Sequence, residues 1–406
     1  MYQSAASMFK NKKVLILGFG REGMSTYRFL RNMYPDMHLT IADKNEIKLD
    51  DKNVTLICGD SYMDSLNDFD IVMKSPGIAF LDVDIKDGTL VTCQTDLFLK
   101  FAPCRKVGIT GSKGKTTTST LIYDMLKEGG FDARLIGNIG VPVLEDINTV
   151  TPETIAVIEM SSHQLEFTTS SPEVAVLTNI YEEHLDHYRD GFRGYVNAKL
   201  NIVRRQKEGD TFIYNATQGL DGLCDLGKIK SHKVGVKKDA PLPFAVNNEH
   251  LLGEHNRQDI LFALEAAKHF GVDTAAAERA VEKFSGIEHR MEKVGTFRGI
   301  TFYNDCIATI PHAVECAVEA LKNVDTLIFG GMDRGLDYSE FENYLKKSNI
   351  KNLIGTPATG HKICDKIEGA PSKNVYKAAN LDEAVKKAYE VTEKGKICLL
   401  SPAASS

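Results

Sequence analysis

The segment GITGSKGKTTTST, residues 108–120, limits what this chain can fold into more than any other. The apolar run KVGIT leads into it, and the pattern TTTSTLIYDMLKEGG leaves it as a helix that stops on glycines. Strand, glycine loop and helix in that order predict an α/β fold with the loop at the carboxyl end of a parallel strand. The loop is not a strict G-x-x-x-x-G-K-[ST] phosphate loop, because Ile109 stands where its first glycine belongs. The physics survives. Gly111, Ser112, Lys113 and Gly114 let backbone N–H groups approach phosphate oxygens. Lys115 adds a cation, and Thr116 and Thr117 open a helix whose N-terminus favours negative charge. The plain alternative is a flexible Gly/Ser/Thr loop that binds nothing.

A second glycine turn lies upstream. KKVLILGFG runs into Gly18-Phe-Gly20-Arg21-Glu22-Gly23, and Asp43 ends the next strand, HLTIAD, 20 residues after Gly23. DIVMKSPG is a later strand that ends in the turn Ser75-Pro-Gly77. This matches the dinucleotide-binding fingerprint, acidic residue included. Alone it would suggest an NAD-dependent oxidoreductase, but a chain with its own phosphate loop needs no hydride carrier. Such a turn binds any nucleotide diphosphate, and it also occurs with no ligand.

Two further strand ends are acidic. Glu159-Met-Ser161-Ser follows TIAVI, and Glu182-Glu183-His184-Leu-Asp186-His187 follows VAVLTNIY. Carboxylate, hydroxyl and imidazole beside a bound triphosphate are what a magnesium site uses. His184-x-x-His187 is also half of a zinc pattern, without a Cys or third His at useful spacing. Helix capping is the structural alternative for the acids. Lys199, in YVNAKLNIV, sits inside an apolar helix and reads on spacing as a surface or snorkelling lysine.

At 406 residues the chain exceeds one ordinary core. Three successive α/β units are expected, over residues 1–102, 103–287 and 288–406. The third alternates again: GITFYNDC, AVECAVEALKN, DTLIFGG, YSEFENYLKKS, DEAVKKAYEVTEKG, KICLLSPA. With a net charge of −6, nothing suggests nucleic acid or an anionic membrane as the main partner. The eight cysteines are scattered without a C-x-x-C, which fits reduced thiols in a cytoplasm. MYQSAASMFKNKK lacks the apolar core of a secretory signal, and no window approaches a membrane span.

These strand ends, in this order, resemble the Mur ligase family, ATP-dependent ligases that build the peptide stem of peptidoglycan. The resemblance runs from about residue 12 to the last residue. It rests on GITGSKGKTT, GNIGVP, EMSSHQLE, LTNIYEEHLDHY, YVNAKLNIV, LLGEHNRQD, GIEHRME, YNDCIAT, GGMDRGLDY and LLSPAASS. It implies three domains: Rossmann-like, phosphate-loop ATPase-like, then Rossmann-like. It implies that Gly20, Arg21, Glu22, Asp43, Ser75 and Gly77 hold the UDP part of a UDP-N-acetylmuramoyl-L-alanine substrate. Asn138, Ser161, Thr309, Arg334 and Ser406 then fall on the muramoyl-peptide and glutamate side. ATP would lie on residues 111–117, with Asn256, Arg290 and Asp305. Lys115, Glu159, His184 and Lys199 would be catalytic. Two magnesium ions would be held by Thr116, Glu159, His184 and a carbamoylated Lys199. A cytoplasmic monomer that adds glutamate, D- first and L- as the alternative, is expected.

Departures cluster near the incoming amino acid. Asn304-Asp305-Cys306-Ile307-Ala308-Thr309 stands where the family often has Asn-Asp-Ser-Lys-Ala-Thr, so the expected lysine is absent. Asp259 stands where many relatives have asparagine, and Arg334 where some have lysine. Relatives continue past the position of Ser406 into a last helix, so a truncated chain or a differently closed pocket is expected. The rival readings are the related folylpolyglutamate synthases, which lack the unit at residues 12–77, the NAD enzyme, and a non-catalytic binder of UDP-sugar peptides.

Overall fold

The computed structural model describes residues 7–139, 141–145, 147–251, 253–333 and 337–404. The chain divides into two compact units, the second beginning at Ser285. The first unit carries two sheets.

Its first sheet holds β1 (Val14–Leu17), β2 (Leu39–Asp43), β3 (Val54–Cys58), β4 (Ile71–Lys74) and β5 (Leu90–Thr92), in the order β3-β2-β1-β4-β5. All four pairings are parallel. β1 reads VLIL and is buried along its whole length, as a central strand covered on both faces must be. Strand order reverses between β1 and β4, which opens a crevice at their carboxyl ends. The two turns expected to hold a nucleotide therefore lie side by side. Ser75 donates its backbone N–H to Leu17 O at 2.8 Å and its Oγ–H to Gly18 O at 3.0 Å. The helix Arg21–Met33 follows the first turn and buries Gly23, Thr26, Phe29 and Leu30. Gly23 must be glycine, because a Cβ there would meet Gly18 O at 2.0 Å.

The second sheet follows the helix Gln94–Phe101. It holds β6 (Arg105–Thr110), β7 (Ala133–Gly137), β8 (Ile155–Glu159), β9 (Val174–Leu177), β10 (Thr211–Asn215) and β11 (His232–Val236). The order is β11-β10-β9-β6-β8-β7 and every pairing is parallel. β6 is thus flanked by β8 and β9, with Ile109 opposite Glu159 and Thr110 opposite Leu177. That register brings the phosphate loop, Glu159 and the polar residues after β9 together at the carboxyl ends of three adjacent strands. The helices Lys115–Glu128, Gly191–Arg204, Glu254–His269 and Thr274–Lys283 pack around it.

One hydrophobic cluster runs through both sheets. It joins Phe9, Val14 and Ile16 to Leu97 and Phe98, and these to Ile158, Tyr195 and Phe212. A polar tie reinforces it. Lys74 ends β4 with its side chain 1% exposed, Nζ lies 3.2 Å from Glu166 Oε2, and the ammonium sits over the Phe80 and Phe167 rings at 5.4 and 5.3 Å. Burial lowers the pKa of Lys74 and Glu166 opposes that shift. Removing one partner of a buried pair leaves the other charge uncompensated. Lys74→Ala is therefore expected to destabilise the first unit by about 3–5 kcal/mol in urea unfolding, and Lys74→Met with Glu166→Gln to recover most of the loss. Equal losses in the single and double variants would show that packing alone holds the tie.

The second unit is a six-stranded sheet in the order β12-β13-β17-β14-β15-β16. Its strands are β12 (Glu292–Phe297), β13 (Ile300–Asn304), β14 (Val324–Phe329), β15 (Asn352–Gly355), β16 (Asn374–Lys377) and β17 (Ile397–Leu400). β12 and β13 form an antiparallel hairpin, and the remaining pairings are parallel. The expected alternation of strand and helix is present. β12, β15, β16 and the helix Thr359–Ile367 were not among the elements read from the sequence.

Candidate active site

The phosphate loop joins β6 to the helix Lys115–Glu128. Gly114 is the residue before that helix and adopts φ 81°, a left-handed conformation that glycine takes without strain. A Cβ there would also meet Asp259 Oδ1 at 2.4 Å. Asp259 comes from the helix Glu254–His269 and accepts a hydrogen bond from Thr118 Oγ1 at 3.3 Å. Its carboxylate is buried under the loop.

The residues after β9 clamp the loop from the other side. Ser112 N donates to Asn179 O at 2.9 Å, and Lys113 N to Asn179 Oδ1 at 2.8 Å. Asn179 Nδ2 and Thr178 Oγ1 both donate to Lys113 O, at 3.1 and 2.6 Å. Tyr195 completes the clamp from the helix Gly191–Arg204. Its hydroxyl lies 2.7 Å from Ser112 Oγ, which accepts from Tyr181 N at 2.8 Å. Burial raises the Tyr195 pKa, so the phenol stays protonated. Tyr195→Phe is expected to cost about 1 kcal/mol of stability, the net worth of one hydrogen bond. It should also raise the KM for ATP more than it lowers kcat, because the loop loses its brace. An unchanged KM for ATP would leave the tyrosine with packing alone.

Two lysines converge on one carbonyl. Lys115 Nζ donates to Gly111 O at 3.0 Å and to Ser112 O at 2.9 Å. Lys199 Nζ donates to the same Gly111 O at 2.7 Å. Lys199 is 2% exposed, so it is neither the surface nor the snorkelling lysine that spacing alone suggested. Burial, and then the neighbouring Lys115 cation, push its pKa well below the usual lysine value. Both effects favour the neutral amine, the nucleophilic form.

Glu159 stands at the carboxyl end of β8 and is 1% exposed. Oε1 accepts from Asn138 Nδ2 at 2.7 Å, and Asn138 N donates to Glu159 O at 3.0 Å. Oε2 is buried with no hydrogen-bond partner among the described residues. A buried carboxylate oxygen left without a donor is costly, and a cation is the natural remedy. Ser161 caps the short helix Ser162–Leu165, and its side chain and backbone are exchanged with Gln164 in a capping box.

His184 is exposed at φ 54°. His163 lies beside it, with ring centroids 4.8 Å apart in an edge-on contact, and its ring meets His187 at a tilt with centroids 3.9 Å apart. The sequence offered no third histidine near His184 and His187, yet the fold supplies one from the segment after Glu159. Burial, and then His187 and His184, lower the His163 pKa to about 3. Among the described residues no group of three or more His, Cys, Asp or Glu side chains is arranged to hold a metal ion.

In the nucleotide crevice, Gly20 and Gly77 leave open space where a side chain would stand. Gly20 precedes the helix bearing Arg21. Asp43 Oδ2 accepts from Phe19 N at 2.7 Å, so it shapes the glycine turn directly. Glu22 Oε1 accepts from Gln164 Nε2 at 2.7 Å, and burial raises the Glu22 pKa. Asn256 lies in the first turn of the helix Glu254–His269.

In the second unit, Asp305 directly follows β13 and is buried. It accepts from Ser401 Oγ at 2.8 Å and from Met291 N at 3.1 Å, and burial raises its pKa. Arg290 and Thr309 are exposed. Arg334 and Ser406 lie outside the described residues.

A glycine-rich loop with two convergent lysines, a buried acid on the neighbouring strand and a crevice at the β1–β4 switch point are features of a nucleotide-dependent enzyme. Three domain matches agree in order: MurD-like N-terminal domain over residues 12–91, Mur ligase middle domain over 109–242, and Mur ligase glutamate ligase domain over 289–404. The chain belongs to the Mur ligase family, ATP-dependent ligases that form amide bonds.

Among its relatives is a UDP-N-acetylmuramoylalanine--D-glutamate ligase of Ligilactobacillus salivarius, 33% identical over 98% of this chain and 93% of that protein. A protein of the same name from Clostridium kluyveri is also 33% identical, with 98% and 93% coverage. Among solved structures, UDP-N-acetylmuramate-alanine ligase MurC of Thermotoga maritima is similar with TM-score 0.58 at 18% identity, over 98% of this chain and 96% of that one. MurF ligase of the same organism, in complex with ADP, is similar with TM-score 0.57 at 17% identity, over 96% and 91%.

Proposed function

We propose that this protein adds D-glutamate to UDP-N-acetylmuramoyl-L-alanine at the expense of ATP, in the cytoplasm. The observation that carries the chemistry is the convergence of Lys115 and Lys199 on Gly111 O, with Glu159 on the neighbouring strand. The glutamate assignment rests on the relatives, which match this chain over 98% of its length.

A carboxylate and an amine do not condense in water, because hydroxide is a poor leaving group. The alanyl carboxylate oxygen attacks the γ-phosphorus of ATP and ADP departs, giving an acyl phosphate. The glutamate nitrogen then attacks the acyl carbon, loses a proton, and inorganic phosphate leaves from the tetrahedral intermediate. The chain's work is positioning and charge neutralisation. The loop N–H groups and Lys115 carry the phosphates, and Asn138 and Glu159 border the alanyl carboxylate that accepts the phosphoryl group. The crevice between Gly20 and Ser75 carries the UDP group.

The residues fit magnesium. Glu159 Oε2 lacks a donor and Thr116 opens the helix of the phosphate loop. Magnesium binds through one or two carboxylates plus substrate phosphates and water, so a preformed cage is not required. Thr116, Glu159, His184 and a carbamoylated Lys199 would between them hold two magnesium ions, one of them through the carbamate, and these would neutralise charge on the phosphoryl oxygens. The carbamate is testable without turnover: isotopically labelled bicarbonate should give a carbamate carbonyl signal that Lys199→Arg removes.

The deciding assay is phosphate release with ATP, magnesium and UDP-N-acetylmuramoyl-L-alanine, comparing D-glutamate, L-glutamate and no amino acid. Release that depends on D-glutamate is expected. Release with L-glutamate alone would keep the mechanism and overturn the specificity, and silence with both would overturn the ligase reading.

A further inference from the structure

A cleft of about 890 Å³ opens where the helix Gly191–Arg204 ends. No residue of the phosphate loop lines it. Its size falls within the roughly 300–1,000 Å³ of small-molecule pockets. The floor is apolar: Leu200, Val203, Leu223 and Ile229. The rim is cationic: Arg204, Arg205, Lys207, Lys228 and Lys230. Two carboxylates, Glu208 and Asp225, share it, so five cations against two acids leave an excess of three. This is a local reversal in a chain of net charge −6.

The carboxylates do not consume the rim. Asp225 Oδ1 accepts from Gly227 N at 2.9 Å, and its other oxygen lies 3.8 Å from Lys228 Nζ. Arg204 is braced by Asn201 Oδ1 and Asn197 Oδ1 at 2.8 and 2.7 Å. Among the described residues the side chains of Arg205, Lys207 and Lys230 make no ion pair or hydrogen bond. The helix carboxyl end contributes about half a negative charge, which accounts for one nearby cation and not for five.

We propose that this cleft is a second ligand site, taking a nucleoside polyphosphate. The nucleoside meets the apolar lining, and the phosphates meet the five cations, more than a single phosphate engages. The site is independent of the ligase chemistry, and its test does not use turnover.

Cys224 lines the cleft, is half-buried, and reports occupancy. Its alkylation by N-ethylmaleimide is followed by peptide mass spectrometry, with the exposed Cys58 and Cys316 as references. A UTP concentration well above Kd is expected to slow Cys224 alkylation by about tenfold, with uridine giving none and tripolyphosphate less. Arg205→Glu, Lys207→Glu and Lys230→Glu together should remove the protection; all three residues are exposed, so folding is retained. The neutral set, Arg205→Gln, Lys207→Gln and Lys230→Gln, should remove it too. No protection by UTP, or protection that survives both triple variants, would overturn the site. Tripolyphosphate protecting as well as UTP would overturn the nucleoside assignment.

Discussion

Lys115→Ala is expected to lower kcat for phosphate release by on the order of a hundred- to a thousandfold, the usual cost of one preorganised charge-stabilising group. The side chain lies along the loop and donates to Gly111 O and Ser112 O. The fold should be intact by circular dichroism. A second effect follows at Lys199. Lys115 is the second-largest cause of the depressed Lys199 pKa, after burial. Without it the Lys199 ammonium gains, and a carbamate loses an attracting cation. Incorporation of labelled bicarbonate at Lys199 should therefore fall along with turnover. Lys115→Arg should not restore the rate, since a planar guanidinium does not replace a compact ammonium against two loop carbonyls. Full turnover in Lys115→Ala would refute the phosphate-loop mechanism.

Glu159→Gln tests the other half of the site. The substitution keeps the shape and the acceptor for Asn138 Nδ2, and it removes the charge. Because Glu159 is buried with one oxygen lacking a donor, thermal stability should hold or rise. Activity should move the opposite way. Charge stabilisation by a bound metal is worth several kcal/mol. At about 1.4 kcal/mol per factor of ten, loss of that ligand lowers kcat on the order of a hundredfold or more. The magnesium concentration for half-maximal rate should rise with it. A variant that lost stability and kept both kcat and its magnesium dependence would make Glu159 a structural acid.

The division between legible and hidden residues follows their distance along the chain. Strand–loop–helix continuity is local, so the phosphate loop and the glycine turn before Arg21 could be read directly. The apolar runs that predicted the strands HLTIAD, TIAVI and VAVLTNI are local too, although the last strand stops earlier, at Leu177. The partners that hold these loops in shape come from far away. Tyr195 reaches Ser112 across 83 positions, Asp259 reaches Thr118 across 141, and Glu166 reaches Lys74 across 92. A polar residue inside a helical pattern looks the same whether it meets water or a buried loop. Lys199 shows this most plainly: spacing alone made it a surface or snorkelling lysine, and the family resemblance, not its pattern, marked it as functional.

Sequence alone determined the α/β class, the strand–loop–helix at residues 108–120, the glycine turn before Arg21 and the family, because each rests on short local patterns and on glycines with definite steric duties. The tertiary structure decided three further things. It joined the first two sheets through one hydrophobic cluster and the buried Lys74–Glu166 pair. It left Glu159 Oε2 buried without a donor. It put two lysines on a single carbonyl. Burial and charge proximity are properties of the packed chain, and they are what turn ordinary Lys and Glu side chains into a site.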